Sequence, residues 1–215
     1  LKTTHERYAD VFRNLGFDLD ISKPKFPPKQ KLSKQITDIT GVKTEKWIGI
    51  APFAQYGSKM YPLDLMEQVI ESLSQQNNVK ILLFGGGKKE VEILYKIAGK
   101  FNNTLNLAGK IKLKEELALI SNLDCMVSMD SGNAHFAAML GINTITVWGI
   151  THPFTGFAPF NQPIENAILP DLNKYPNIPC SIYGNKVCEG YENVMRSISP
   201  KKVVEKILGF YLLGV

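Results

Sequence analysis

The residues best suited to chemistry lie together just past the midpoint of the chain. They are Asp130, Ser131, Gly132, Asn133 and His135. An apolar run precedes them and an alanine-rich helical pattern follows, which predicts a strand, a polar turn and a helix. The first N–H groups of a helix and the positive end of its dipole attract anions. The turn is therefore a candidate anion-binding site, although a glycine at this position could also serve helix packing alone.

Asp130, Ser131, Gly132 and His135 could each serve the site in a different way. Asp130 ends the predicted strand, so its carboxylate can face the crevice, or it can cap the helix that begins near Gly132. Ser131 adds a hydroxyl, and Gly132 lets a ligand approach the backbone closely. His135 lies in the first helical turn, within reach of the same site.

Three more candidates follow other predicted strands. Lys59 can offer an ammonium to phosphate oxygens, or it can be a solvated loop lysine. Glu90 can accept hydrogen bonds from ribose hydroxyls, or it can be a favourable charge in the first turn of a helix. His152 stands beside a proline and is interpreted as a loop histidine rather than a ligand.

Other motifs exclude some kinds of site. The Gly85-Gly86-Gly87 turn lacks the ending of a phosphate-binding P-loop, and the glycine spacing of a dinucleotide fingerprint is absent. Cys180 and Cys188 lack the paired spacing of a zinc site, so we expect no metal. No other cofactor is expected. Three cysteines in 215 residues argue against a disulfide scaffold and fit a reducing compartment.

Strands and helices alternate from residue 46 onwards. The predicted strands are Trp47–Ala51, Val79–Phe84, Thr104–Leu107, a run from Leu123, Thr144–Trp148 and Asn166–Leu169. The predicted helices run from Leu63 to Gln76, Lys88 to Phe101, Leu113 to Ser121, Ala134 to Leu140 and from Pro200, the last with Val203, Val204, Ile207, Leu208 and Tyr211 inward. This alternation predicts an α/β fold with a doubly wound parallel sheet, whose ligands bind at the carboxyl edge of the strands.

The first 45 residues lack the alternation of strands and helices. Thr3 and Glu6 form a capping-box pattern for a helix with an apolar stripe that has little nearby to pack against. A proline- and lysine-rich connection follows, with a weak strand expected near Phe26 and a short helix near Ser33. Because the chain opens on Leu1 and enters a helix directly, we interpret it as a piece of a longer protein. Residues 1–45 are predicted to be an interdomain helix and linker, and residues 46–215 one domain.

The overall composition is that of a globular protein. The chain is 44% hydrophobic and 21% charged, and it has no pattern typical of a transmembrane helix or signal peptide. Its net charge of +5 is spread along the chain and is interpreted as a solvated face, or as attraction to anionic lipid or phosphorylated substrate. No block resembles a nucleic-acid-binding motif. A cytoplasmic location is expected.

Several segments together resemble a known family. They read VSMDSGNAHFAAMLG followed by ITVWGITHPF, with APFAQYGSKMYP, LFGGGKKE and NLAGKIKLKEELALISNLD upstream. Over residues 46–213 the chain resembles the carboxyl-terminal half of the ADP-heptose:lipopolysaccharide heptosyltransferases, glycosyltransferase family 9. The resemblance implies a Rossmann-like domain of a two-domain GT-B enzyme. In this family the first domain holds the acceptor and the catalytic base, and the second holds the nucleotide-sugar donor.

The resemblance also implies roles for the candidate residues. Asp130 would hold hydroxyls of the donor sugar, Lys59 the phosphates and Glu90 the adenosine ribose. The diphosphate would lie against Ser131, Gly132, Asn133 and His135. The implied reaction is an inverting, metal-independent transfer of heptose from ADP-heptose to a lipopolysaccharide core acceptor at the cytoplasmic face of the inner membrane. The base would lie in the missing amino-terminal domain, so this piece would bind donor without turnover.

Two other functions remain open at this stage. One is a nucleotide-sugar binding module that performs no transfer, which would not need Lys59 or an equivalent cation on the leaving group. The other is a GT-B enzyme, or a related epimerase, that uses a uridine nucleotide.

Overall fold

The computed structural model describes the backbone of residues 1–212 and the side chains of residues 1–209. The inward orientation predicted for Tyr211 and the last three residues of the predicted domain lie outside the described residues. Among those that are described, no helix is both long and apolar enough to cross a membrane.

In the part of the chain that the structure describes, six parallel strands form one sheet in the order β3-β2-β1-β4-β5-β6. They are β1 (Lys46–Ala51), β2 (Val79–Leu83), β3 (Thr104–Asn106), β4 (Cys125–Met129), β5 (Thr144–Val147) and β6 (Ala167–Ile168). Successive strands are added outward from β1 on one side of the sheet and outward from β4 on the other. The switch point therefore lies between β1 and β4, and doubly wound sheets have their ligand crevice at such a point. The predicted α/β class is confirmed.

Within residues 1–212, seven α-helices accompany the sheet. They are α1 (Thr4–Asn14), α2 (Lys34–Thr40), α3 (Leu63–Ser74), α4 (Lys88–Ala98), α5 (Leu113–Ile120), α6 (Gly132–Met139) and α7 (Pro200–Leu212). One hydrophobic cluster joins one face of the sheet to α3, α4 and α7. A second cluster joins the opposite face to α2, α5 and α6. Because both faces are covered, the central strands are largely apolar, and Trp47, Ile48 and Ile50 of β1 are fully buried.

Helix α1 begins as its sequence predicts but leaves its apolar stripe in solvent. The hydroxyl of Thr3 accepts a hydrogen bond from the backbone N–H of Glu6 at 3.2 Å, which caps the helix. The stripe consists of Tyr8, Val11, Phe12 and Leu15, whose exposed fractions lie between 51% and 69%. The amino end of α1 is tied to the domain, since Thr4 donates from its backbone N–H to the carbonyl of Gly156 at 2.8 Å.

The strand expected near Phe26 is wrong. Residues 24–32 form an irregular extended segment, in which three prolines remove backbone donors that a strand would need. The Phe26 ring instead packs on the turn at Gly141, where an added Cβ would lie 2.8 Å from the ring. The short helix near Ser33 is confirmed as α2, with the Ser33 hydroxyl accepting from the N–H of Ile36. Ile36 is buried in the core of the sheet domain, so part of the predicted linker packs against it.

The interpretation of the cysteines also needs correction. Cys180 and Cys188 are joined in a disulfide, with their Cα atoms 5.4 Å apart. Cys125 is free and buried in β4. An odd number of cysteines does not reveal that the irregular chain after Pro179 doubles back and brings two of them within bonding range. The disulfide closes a loop at the carboxyl edge of the sheet.

Candidate functional site

Asp130 and Lys59, predicted separately from two loops, form an ion pair at the switch point. Asp130 directly follows β4, and its Oδ2 atom lies 2.6 Å from Nζ of Lys59. The same oxygen accepts a hydrogen bond from the hydroxyl of Thr151, in the loop after β5, at 3.1 Å. Only 7% of the Asp130 side chain and 14% of the Lys59 side chain are exposed. The Lys59 ammonium is therefore fixed in the crevice by its ion pair with Asp130, and Lys59 is not a solvated loop lysine.

The position of Lys59 depends on two glycines. Lys59 ends a 3-10 turn, Gly57–Lys59, and its aliphatic stem lies against Gly184, where an added Cβ would be 2.5 Å from Cδ. The Ser58 hydroxyl donates a hydrogen bond to the Gly184 carbonyl. On the other side, an added Cβ at Gly149 would lie 2.4 Å from the Ser58 carbonyl oxygen. Close backbone approach thus fixes the turn that presents the ammonium.

The alternative in which Asp130 caps α6 is not what the structure shows. Ser131 occupies the N-cap position with extended backbone angles, and its side chain makes no capping hydrogen bond. Its hydroxyl is 3.0 Å from the hydroxyl of Ser128 instead. The amides of the first turn, at Gly132 and Asn133, have no carbonyl four residues earlier in the helix to bind. They are available to an anion.

The ion pair and the start of α6 border a cavity of 350 Å³, a volume suited to a small polar ligand. Its wall comprises Gln55, Tyr56, Lys59, Asp130, Ser131, Gly132, His135, Phe157, Ile182 and Tyr183. Tyr183 and Ile182 belong to the loop that the disulfide closes, and the ring of Tyr183 lies 5.7 Å from that of Phe157. The cavity therefore has a cation and helix N-terminus on one side and aromatic side chains on another.

His135 and His5 lie beside each other next to this cavity. Their ring centroids are 6.4 Å apart, and the His5 ring is 5.1 Å from that of Phe160. Burial lowers the pKa of His135, with Asp130 raising it and Lys59 lowering it. Burial, and then the neighbouring His135, lower the pKa of His5. Both imidazoles are thus biased toward the neutral form.

Glu90 lies in a second cavity of 380 Å³ rather than beside Lys59. Its Oε2 atom accepts a hydrogen bond from the backbone N–H of Gly86 at 2.7 Å, which closes the glycine turn after β2. Gln55 lines both cavities, and α6 contributes Gly132 to the first and Asn133 to the second. The predicted site residues are therefore distributed over two adjoining cavities along one edge of the sheet.

Sequence reasoning placed His152 correctly and missed several other residues. His152 is buried, and its Nδ1 atom accepts a hydrogen bond from the N–H of Phe154, as expected of a loop histidine. Thr151, Gln55 and Tyr183 lie in loops that the strand pattern assigns to this edge or leaves irregular, and no signal singled them out. His5 comes from α1, about 130 residues away in sequence, which no local pattern could reveal.

A parallel sheet of this order, with a helix N-terminus and a lysine at its carboxyl edge, defines the doubly wound, Rossmann-like class. Within that class, the family model of glycosyltransferase family 9 (heptosyltransferase) matches residues 3–183. The chain belongs to glycosyltransferase family 9.

Individual relatives agree with this assignment. The chain is 30% identical to lipooligosaccharide heptosyltransferase 2 of Campylobacter jejuni over 188 residues, which are 85% of this chain and 55% of that protein. The chain thus spans about half the length of the curated relative.

Solved structures share the fold. Escherichia coli ADP-heptose LPS heptosyltransferase II has a TM-score of 0.69 and 22% identity, covering 99% of this chain and 63% of that one. E. coli heptosyltransferase WaaC with ADP-2-deoxy-2-fluoro heptose has a TM-score of 0.64 and 21% identity, covering 95% of this chain and 55% of that one.

Proposed function

We propose that this chain is the donor-binding half of a two-domain GT-B heptosyltransferase. It binds a nucleotide-sugar, ADP-heptose in the first instance, for transfer to a lipopolysaccharide core acceptor. The acceptor and the catalytic base belong to an amino-terminal domain, and the exposed apolar stripe of α1 is where such a domain would pack. The reaction takes place in the cytoplasm at the inner membrane, consistent with the overall positive charge.

The observation that carries the proposal is the Lys59–Asp130 ion pair at the N-terminus of α6. A nucleotide-sugar has an anionic diphosphate next to a neutral, hydroxyl-rich sugar. The α6 amides and Lys59 suit the diphosphate, whereas a carboxylate repels phosphate and accepts from hydroxyls. The Lys59 ammonium and the Asp130 carboxylate lie side by side at the start of α6, which matches the junction between the diphosphate and the sugar.

The chemistry follows from charge development. The base of the amino-terminal domain takes the proton of an acceptor hydroxyl, whose oxygen attacks the anomeric carbon from the face opposite the nucleotide, so configuration inverts. As the glycosidic bond breaks, negative charge grows on the departing diphosphate. Lys59, the α6 dipole and His135 stabilise that charge where it forms, and they require no rearrangement of the backbone to do so. We propose no metal for this step.

If the donor were a uridine nucleotide-sugar, the chain would bind uridine compounds more tightly than adenosine compounds. If the protein were only a binding module, it would bind donor without transferring heptose. Isothermal titration of the chain with ADP-heptose, ADP, UDP-glucose and UDP tests the first. We expect ADP-heptose and ADP to bind at least tenfold more tightly than the uridine compounds. Tighter binding of the uridine compounds would overturn the choice of donor, and absence of binding by all four would overturn the donor-binding role. Transfer of heptose from ADP-heptose by the longer protein, and loss of transfer in Lys59→Gln, would distinguish an enzyme from a binding module.

A further inference from the structure

The cavity that contains Glu90 holds a second acidic side chain. Glu116, in the first turn of α5, lines the same wall as Asn133 and Phe136. Its Oε1 atom accepts a hydrogen bond from the Asn133 side-chain amide at 3.1 Å. Burial raises the pKa of Glu116, and the hydrogen bond from Asn133 opposes that rise. A half-buried carboxyl at the edge of the sheet costs free energy unless a partner compensates for it.

The two adjoining cavities differ in charge. The first has one carboxylate, Asp130, which is paired with Lys59, and the amides of α6 beside that pair favour phosphate oxygens. The second has the carboxyls of Glu90 and Glu116 among the rings of Phe53, Phe84 and Phe136. Carboxylates repel phosphates but accept hydrogen bonds from hydroxyl and amine groups, and aromatic walls suit a planar base. This arrangement orients a nucleoside diphosphate with its nucleoside in the second cavity.

We propose that Glu116 selects the nucleobase of the donor by accepting a hydrogen bond from an exocyclic amine of the base. This inference rests on the proposed function and deepens it, because it assigns a specificity-determining residue. Glu90 lies near the glycine turn and takes the ribose, which leaves Glu116 for the base. A carboxylate has about four acceptor positions, so the bond from Asn133 leaves capacity for a ligand.

The selection works against bases with a carbonyl in place of the amine. Hypoxanthine differs from adenine in this way, and its carbonyl oxygen would face a carboxylate oxygen with no proton between them. Sites that hydrogen-bond a ligand amine discriminate strongly against analogues that lack it, because their own polar group is then left unpaired. The wild-type chain should therefore bind ADP more tightly than inosine diphosphate, roughly 10- to 100-fold for one charge-assisted hydrogen bond.

A purely structural role gives a different result. If Glu116 only holds Asn133 and thereby the start of α6, its replacement weakens both nucleotides to the same extent. Glu116→Gln separates the two roles, because the glutamine oxygen can still accept from Asn133 while its amide can donate to a carbonyl. The ratio of ADP to inosine diphosphate affinity should fall about tenfold or more in this variant. Glu115→Gln removes the same charge from the neighbouring position and should leave the ratio unchanged.

The experiment is isothermal titration of wild type, Glu116→Gln and Glu115→Gln with ADP and with inosine diphosphate. A wild-type preference for ADP that collapses only in Glu116→Gln supports the assignment. Equal affinities of the wild-type chain for the two nucleotides would overturn it without any variant, so it remains testable if Glu116→Gln fails to fold. Equal losses for both nucleotides in Glu116→Gln would also overturn it, while leaving the proposed function intact. Failure of the wild-type chain to bind either nucleotide would overturn the proposed function and this inference together.

Discussion

Lys59 and Asp130 are 71 residues apart in sequence, yet Nζ of Lys59 lies 2.6 Å from Oδ2 of Asp130 in the structure. In the proposed donor complex, the ammonium would bind phosphate oxygens and the carboxylate would accept hydrogen bonds from sugar hydroxyls. In the free protein each group neutralises the other, which offsets part of the cost of burying both. Under the proposed function, donor binding would exchange this contact for separate contacts to phosphate and sugar.

Removal of the Lys59 charge should weaken nucleotide binding. In Lys59→Gln we expect a loss of roughly 1 to 3 kcal/mol in ADP affinity, as for a charge-assisted hydrogen bond, and a shallower dependence of affinity on salt. Titration calorimetry at low and high salt measures both. Because the variant leaves Asp130 buried without its cation, Lys59→Gln with Asp130→Asn serves as the control. Unchanged ADP affinity in both variants would remove Lys59 from the phosphate site.

Nucleotide binding should be coupled to proton uptake at His135. Burial lowers the pKa of this imidazole in the free protein, and the groups that face it are Asp130, Lys59 and His5. A diphosphate beside the ring favours the protonated form, so its pKa rises on binding. ADP affinity should accordingly increase as pH falls from about 8 to 6.

His135→Asn provides the control for this pH dependence, because ADP itself also takes up protons in the same range. The variant should show a smaller increase in affinity and a smaller proton uptake, measured calorimetrically in buffers of different ionisation enthalpy. Identical pH profiles for the variant and the wild type would contradict a contact between His135 and the diphosphate.

Gly149 should affect binding without touching the ligand. An alanine Cβ at this position would lie 2.4 Å from the Ser58 carbonyl oxygen and 3.0 Å from Sδ of Met195. Gly149→Ala must therefore displace the turn that carries Lys59, at a cost to stability of about 1 to 3 kcal/mol. We expect a several-fold loss of ADP affinity. Gly57→Ala adds the same methyl group on that turn, into open space, and should change neither property.

Asp124 should stabilise the start of the sheet rather than the site. Its Oδ2 atom accepts a hydrogen bond from the N–H of Trp47 at 2.8 Å and lies 2.6 Å from Nζ of Lys43. Burial alone would raise the pKa of Asp124, but these two contacts outweigh it and hold the pKa below its usual value. A depressed pKa in the folded state contributes stability above the unfolded pKa of about 4, and that stability is lost as pH falls through the folded pKa.

Asp124→Asn should therefore lower the free energy of unfolding by about 1 to 2 kcal/mol at pH 7. The difference from wild type should shrink toward pH 3, as measured by urea denaturation at both values. Asp38→Asn, which removes an exposed partner of Lys34, should leave the denaturation midpoint unchanged. Equal effects of the two substitutions would show that the contacts of Asp124 add no specific stability.

The fold was predictable because its signals are local. Apolar runs such as Val79–Leu83 alternate with helical periodicity, and alternation of this kind has few solutions besides a doubly wound parallel sheet. The same reasoning placed Asp130 and Lys59 at one edge, since all parallel strands end there. It failed near Phe26, whose partly exposed ring packs on Gly141 in a segment that forms no strand.

The remaining features depend on contacts between distant segments. Thr151 meets Asp130 across neighbouring strands, and His5 meets His135 because α1 folds back onto the domain. The disulfide between Cys180 and Cys188 depends on the path of an irregular loop. The direct contact between Lys59 and Asp130 was not predicted either, because the separate ligand roles of the two residues gave no reason to pair them.

The most direct test of the account is a parallel titration of ADP and ADP-heptose against wild type and Asp130→Asn. Loss of the carboxylate charge removes an acceptor for sugar hydroxyls and frees Lys59 for the diphosphate. We predict that Asp130→Asn loses roughly 1 to 3 kcal/mol of affinity for ADP-heptose, while ADP binds as in wild type or more tightly. Equal losses for ADP and ADP-heptose would contradict the account, because they would show that Asp130 shapes the site without contacting the sugar.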